Sequence, residues 1–214
     1  MGAVQLGPTV SAAQVSDSLD ASGARGHVLA AGIRPLREGV RIVGRAHPIQ
    51  FAPIEHDQDD PYREFIEFMD AMKPGDIAVI ATAANDRTAY WGELFSAAAV
   101  GRGAVGAICD SYVRDTPKIA ALGFPVFSAG SRPLDYRARM RVVATGEPVN
   151  CAGVLIEPGE LMIADDDGIV AIPSVVEAEV VERANARAAA ESEVLTDLLA
   201  GKTLGEVWSH YGVL

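Results

Sequence analysis

Apolar positions along this 214-residue chain fall into segments of helical and of strand period. Residues 1–35 carry short helical signals: in SAAQVSDSLD, Ser11 stands where a cap belongs, and Val15 and Leu19 follow at helical spacing. VRIVGRAHPIQFAP (40–53) is β-branched and bounded by glycine and proline, which predicts a strand. Asp60 and Pro61 then predict a helix start, as cap and first-turn residue. Phe65, Phe68 and Met72 form that helix's stripe, and Lys73-Pro74-Gly75 ends it. IAVIATA (77–83) is almost uniformly apolar, the pattern of a strand covered on both faces.

Helices and strands then alternate. WGELFSAAAVGRG (91–103) predicts a helix, VGAIC (105–109) a strand ending at Asp110, VRDTPKIAALG (113–123) a short helix and PVFSAG (125–130) another strand. Beyond residue 140 the pattern is short strands separated by turns, RVVATGEPV, GVLIEPG, LMIADDDG and IVAIP, with Asp167-Gly168 marking a hairpin. Ser174 and Glu177 have capping-box spacing directly after Pro173. From there Val176, Val180, Ala184, Ala188, Leu195 and Leu199 recur at helical period up to Gly201, and LGEVWSHYGVL follows as a tail with aromatic anchors. A helix this long and this charged needs a surface to lie on, in its own domain or on a neighbouring subunit. The pattern gives one α/β domain over 1–214, with a core at about 35–175 and a C-terminal helix and tail over 174–214.

Composition narrows the partners. The chain is 49% hydrophobic and 22% charged, an ordinary globular profile, and with only 6% aromatics the core must be built from small aliphatic side chains. A net charge of −11 argues against a nucleic-acid or anionic-membrane surface, because phosphates must be neutralised by Lys and Arg. An anionic small molecule is still compatible, since a local cluster can override the global sign. Cys109 and Cys151 sit in apolar, strand-like surroundings and read as buried reduced thiols. No signal peptide and no apolar run of membrane-spanning length is visible, so a soluble, cytoplasmic protein is expected.

Two stretches carry candidate chemistry. Gly92 and Glu93 open a predicted helix, with Leu94 and Phe95 in its first turn, where unpaired N–H groups and the helix dipole favour an anion such as a carboxylate. The same residues also fit a tight turn in which Glu93 merely complements the dipole. Asp110, Arg114 and Asp115 follow a strand end, where α/β proteins place ligands. Arg114 offers a planar fork for a carboxylate or a developing enolate oxygen, Asp115 hard oxygen ligands for Mg²⁺ or Mn²⁺, and Asp110 a hold on a metal-bound water. Acidic helix caps with an internal Arg–Asp pair fit this stretch equally well.

Taken together, GELF, then Gly101, Gly103, Gly106 and Asp110, then Arg114-Asp115 and Phe124-Pro125-Val126-Phe127, resemble the signature of the RraA-like family. EPGELMIADDDGIVAIP (157–173) resembles its Pro-Gly and Asp-Asp-Gly hairpin, so the likeness covers roughly 35–175. The family includes 4-hydroxy-4-methyl-2-oxoglutarate and 4-carboxy-4-hydroxy-2-oxoadipate aldolases, which also decarboxylate oxaloacetate. It further includes regulators of ribonuclease activity and proteins misnamed as demethylmenaquinone methyltransferases. The resemblance implies an α/β/α layered fold with a swivelling-domain-like core and a C-terminal helical arm, assembled as a homotrimer or a dimer of trimers with sites between subunits. It further implies that the backbone at Gly92, Glu93, Leu94 and Phe95 holds a 2-oxo acid's carboxylate. Arg114 would contact the 2-oxo oxygen, Asp115 would ligate Mg²⁺ or Mn²⁺, and Asp110 would touch it through water. Asp110-Ser111 departs from the family's usual Asp-Gly, which bears on substrate identity.

The activity implied is metal-dependent cleavage or decarboxylation of small 2-oxo acids, two reactions that share one enolate. No lysine belongs to the set, Lys118 being the nearest, so a Schiff-base route is not expected. The alternative function is a non-catalytic regulator of ribonuclease activity acting by protein binding; a related enzyme on sugar-acid or other hydroxy-acid substrates is a third. Weaker signals read as structure. Asp165-Asp166-Asp167-Gly168 is a turn, and Gly101–Gly106 is no dinucleotide fingerprint because it lies at a helix end. His27, His47, His56 and His210 lack paired ligand spacing, and Glu191 and Glu193 are candidates to reach a neighbour's site.

Overall fold

The computed structural model describes residues 5–54 and 58–213. In chain order the elements are α1 (Ala12–Ala21), β1 (Arg34–Pro35), β2 (Ile42–Pro53), α2 (Arg63–Ala71), β3 (Asp76–Ala81), β4 (Ala89–Trp91), α3 (Glu93–Gly101), β5 (Gly106–Val113), α4 (Thr116–Leu122), β6 (Val126–Ser131), β7 (Met140–Thr145), β8 (Val149–Cys151), β9 (Val154–Ile156), β10 (Leu161–Ala164), β11 (Ile169–Ile172), α5 (Glu177–Leu199) and α6 (Leu204–Tyr211). Nine strands form one mixed sheet along β1-β6-β5-β3-β2-β10-β11, with β4 added to β5 and β7 to β2; β8 and β9 form a separate ribbon. The centre, β2-β3-β5-β6, is parallel, and β1, β7, β10 and β11 join it antiparallel.

Alternation along the central strands explains the layers. Ala78 and Ile80 of β3 face one core with Phe65, Phe68, Trp91 and Ile119, so α2, α3 and α4 cover that side. Ile77, Val79 and Ala81 face the other core, closed by Val149, Cys151, Val154 and Ile156 of the ribbon. Both faces of β3 are buried, as its uniform apolar run requires. A third cluster seats α1 and α5 on β10 and β11. This is the α/β architecture expected from the pattern. Cys109 and Cys151 are buried free thiols in separate clusters. Among the described residues no helix is long and apolar enough to cross a membrane.

Several local expectations hold and several are corrected. Ser11 caps α1 in a full capping box with Gln14, and Asp165 adds a 2.7 Å acceptor for the Ala12 N–H, so the acidic run at 165–168 is a turn that also supports a helix start. The 161–172 hairpin forms as read. Asp60, by contrast, does not cap α2: the helix begins at Arg63 after Tyr62, and Asp60 pairs with Arg63 at 3.7 Å. The Ser174–Glu177 box is also absent. The N-cap of α5 is Val176, with no side-chain bond, because Glu177 makes two charge-assisted bonds to Arg45 of β2 at 2.6 and 2.8 Å. In the second half of α5 it is Val194 that is buried, whereas Leu195 and Leu199 face outward, 57% and 80% exposed, because the helix there has run past the sheet. Finally, the strand read as ending at Asp110 continues to Val113, and a short strand, β4, precedes α3.

Candidate active site

The unanticipated strand β4 builds the site. It lies parallel to the end of β5 with Trp91 opposite Val113, and the Arg114 N–H donates to the Trp91 carbonyl at 2.9 Å. This register sets Gly92-Glu93 beside Arg114-Asp115, at the carboxyl ends of parallel strands. Trp91 anchors the corner: its indole N–H donates to Ser96 Oγ at 2.8 Å, and Ser96 donates to the Gly92 carbonyl at 3.0 Å, tying strand to helix. Phe95 packs on Phe65, with ring centroids 4.0 Å apart.

Glycine at 92 lets the Asp115 carboxylate approach closely; a larger residue would push that side chain aside. A Cβ there would sit 2.8 Å from Asp115 Oδ2 and 3.3 Å from Arg114 Cγ, while its extended backbone would suit any residue. Asp115 is the strained member, with φ 59° and ψ 29°, a left-handed conformation that Asp tolerates better than most side chains. It occupies the N-cap position of α4 yet makes no capping bond. Its Oδ2 instead lies 3.4 Å from the Glu93 N–H and 3.8 Å from Arg114 Nε. The Asp115 carboxylate thus does not cap α4, which it precedes, but reaches the open N-terminus of α3 through a long bond from the Glu93 N–H.

Two clefts meet at this pair. One, of roughly 400 Å³, is lined by Tyr62, Ile66, Gly92, Glu93, Leu94, Phe95, Arg114 and Asp115. The other, of roughly 370 Å³, is lined by Arg114, Asp115, Thr116, Pro117, Ser131, Arg132 and Pro133. Leu94 and Ile66 form an exposed apolar lip on the first. Glu93 pairs with Lys118 at 2.8 Å, and that bond holds the ammonium above the usual lysine value.

Asp110 is not brought to either cleft. It is buried on β5, accepting from the Thr82 N–H at 2.9 Å, the Thr82 hydroxyl at 2.6 Å and the Ala84 N–H at 3.4 Å. Burial raises its pKa, and those donors oppose the rise. Its place follows from the strand continuing past it: alternation turns it toward the side of Ile108 and away from that of Cys109. Ser111 is buried on the same strand and donates to the Asn85 carbonyl at 2.5 Å, so the hydroxyl steadies the loop at 82–88 and does not enter a pocket.

Two residues beside Arg114 have no sequence signal. Asp135 lies 3.2 Å from Arg114 Nη1 and accepts from the Tyr62 hydroxyl at 2.7 Å, across 73 positions. Burial alone would raise the Asp135 pKa, but Tyr62, the Arg137 N–H and the Arg114 charge outweigh it and hold the group below the usual value. Of the remaining candidates, His47 stacks on Phe68 and bonds its carbonyl, while Glu191 is taken up by Gln14 and Arg187 of its own chain. His56 lies outside the described residues.

No group of three His, Cys, Asp or Glu side chains suited to a metal occurs among the described residues. A structural Zn²⁺ cage therefore does not fit. Mg²⁺ and Mn²⁺ are commonly held by one or two carboxylates with substrate oxygens and water; the carboxylates here are Asp115, whose Oδ2 accepts from the Glu93 N–H, and Glu93, paired with Lys118.

Comparison with known proteins places this arrangement in context. The model for the RraA-like family, described as Aldolase/RraA, matches residues 12–171. DlpA of Legionella pneumophila is 30% identical over 199 residues, which is 93% of this chain but 32% of DlpA, so the chain spans about a third of that relative's length. A protein of Halalkalibacterium halodurans, provisionally named 4-hydroxy-4-methyl-2-oxoglutarate aldolase, is 29% identical over 181 residues, 85% of this chain and 81% of its own. Streptomyces coelicolor RraAS2, described as an unusual member of the RNase ES inhibitor RraA family, superposes with a TM-score of 0.75 at 26% identity, covering 90% of this chain and 92% of its own.

Proposed function

Because the chain belongs to the RraA-like family, we propose that it is a divalent-metal-dependent lyase on small 2-oxo acids, cleaving 4-hydroxy-2-oxo acids to release pyruvate, decarboxylating oxaloacetate, or both. The observation that carries this reading is the meeting of the α3 N-terminus, Arg114 and Asp115 at one cleft, with the Asp115 side chain making no bond to α4. Relatives provisionally named as aldolases support it.

The residues divide the work. Backbone N–H groups at Leu94 and Phe95, joined by that of Glu93 once it leaves Asp115 Oδ2, would take the substrate's carboxylate, with the helix dipole behind them. The Arg114 guanidinium opposes the negative charge that develops on the 2-oxo oxygen as the C3–C4 bond breaks. Asp115 would hold the Mg²⁺ or Mn²⁺ ion, which when bound supplies Lewis-acid stabilisation of that charge. Phe95 and Tyr62 line the cleft on its apolar side and limit water there. Lys118, kept protonated by Glu93, is a poor nucleophile, so the carbonyl is not activated as an imine.

The test is pyruvate release from a panel of 4-hydroxy-2-oxo acids and oxaloacetate, with metal stripped and restored. Activity should vanish with EDTA and return with Mg²⁺ or Mn²⁺. Arg114→Ala should lose about 2–3 kcal/mol of transition-state stabilisation, and Arg114→Lys should recover little of it, because an ammonium lacks the planar fork. Full activity without metal, or a loss below about threefold on removing Arg114, would remove the mechanism. No lyase activity on any 2-oxo acid, with intact partner binding, would leave a regulatory protein.

A further inference from the structure

The segment between β6 and β7 supplies a carboxylate that the lyase chemistry does not itself call for. Asp135 Oδ2 receives both the Tyr62 hydroxyl, at 2.7 Å, and Arg114 Nη1, at 3.2 Å. Its Oδ1 accepts from the Arg137 N–H at 3.3 Å, and its carbonyl accepts from Arg139 Nη1 at 3.2 Å. The backbone is pinned as well: the Ala89 N–H donates to the Leu134 carbonyl at 2.7 Å, and Asp135 bridges to Ala89 of β4. Tyr62 sits edge-on against the buried ring of Tyr136, whose hydroxyl bonds the Pro61 carbonyl at 3.2 Å. Asp135 is thus fixed before it meets Arg114.

Arg114 needs such a partner because a competitor is adjacent. Asp115 Oδ2 is 3.8 Å from Arg114 Nε, close enough for attraction but too far for a hydrogen bond. A guanidinium free to turn would close that gap into a charge-assisted pair. It would then spend both its own fork and the carboxylate needed elsewhere. Asp135 pulls on Nη1, the opposite part of the fork. We infer that Asp135, steadied by Tyr62, is a positioning residue that keeps the Arg114 guanidinium turned to the cleft and off the Asp115 carboxylate. The purpose of that position rests on the lyase reading; the position itself rests on the side-chain geometry. Asp135 stays ionised because its partners favour the charged form, and Tyr62 stays a donor because burial and Asp135 both raise its pKa.

Arginine-labelled protein tests the clamp without metal or substrate. The Arg114 Nε–H signal, assigned by its absence from Arg114→Lys, should shift or broaden in Asp135→Asn. In oxaloacetate decarboxylation, Asp135→Asn should lower kcat at least about 10-fold with KM within about threefold, Tyr62→Phe should lower it less, and Asp135→Glu should restore part. Mn²⁺ affinity, read by calorimetry, should fall in Asp135→Asn. It should not fall further when that change is added to Arg114→Ala, where no guanidinium remains to capture Asp115. An unmoved Arg114 signal, an unchanged kcat, or an equal loss of Mn²⁺ affinity with and without Arg114 overturns the inference. If the unaltered protein neither releases pyruvate nor takes Mn²⁺, the lyase reading fails, and the Arg114 signal still decides whether Asp135 holds it. The amide of Asp135→Asn keeps an acceptor for Tyr62; should that variant not fold, Tyr62→Phe carries the spectroscopic arm.

Discussion

Asp115 shows how one residue can be costly to the fold and still useful to the site. A left-handed backbone at a non-glycine residue costs of order 1 kcal/mol, and here the side chain returns only a long 3.4 Å bond from the Glu93 N–H and none to α4. Glycine adopts this conformation without a Cβ penalty. Asp115→Gly should therefore leave thermal stability unchanged or raise it by up to about 1 kcal/mol, while removing Mn²⁺ binding and lyase activity. Calorimetric unfolding beside an Mn²⁺ titration measures both. A clear loss of stability would make Asp115 a structural residue and weaken the site built around it. At this scale the sequence pointed to Arg114 and Asp115 through their resemblance to the RraA-like signature, local pattern leaving a pair of helix caps equally acceptable. It could not point to Asp135 or Tyr62, whose contacts join segments far apart in the chain, nor could it turn Asp110 away from the cleft. The face Asp110 takes is set by alternation along β5, but its partner Thr82 comes from the end of another strand.

Among the elements, α5 separates local from long-range control of a helix start. Its beginning looks like a capping box, yet Glu177 is bound to Arg45 on β2 and Val176 holds the cap position. Ser174→Ala should thus change stability by no more than about 0.3 kcal/mol, well short of the ~1 kcal/mol a working cap contributes. Glu177→Ala should cost about 0.5–1 kcal/mol, since the pair is partly exposed and screened. Urea unfolding of the two variants distinguishes these cases, and equal losses would restore the local box. The same contrast explains β4. A three-residue strand carries too little pattern to stand out from the helix that follows it, and it exists because β5 extends far enough to pair with it.

For the molecule as a whole, some of the exposed apolar side chains lie on the cleft rim and on the C-terminal arm. Leu94 and Ile66 rim the cleft, and Leu195, Leu199, Leu204 and Trp208 line the C-terminal arm beyond the core. Burying a Leu side chain contributes about 1.5–3 kcal/mol, so association of such surfaces is favourable. Light scattering should give a mass near three or six chains, and Leu199→Glu with Trp208→Glu should shift it downward if the arm forms the contact. A stable, fully active monomer would mean that each chain completes its own site.

The chain by itself determined what repeats with a short period. Strand β3, buried on both faces, is written in IAVIATA; the α1 cap, the 161–172 hairpin and the alternation of α2, β3, α3, β5, α4 and β6 follow from nearest-neighbour preferences and from the need to bury one stripe or face. Gly92, Arg114 and Asp115 were singled out by their resemblance to the RraA-like signature, and it is the pairing of β4 with β5 that sets them side by side. Tertiary structure decided the rest: the Asp135–Tyr62 hold on Arg114, the withdrawal of Asp110 to Thr82 and the diversion of Glu177 to Arg45. Each of these is a choice among polar partners of similar local merit, and only the packing of distant segments sets which one comes within hydrogen-bond reach.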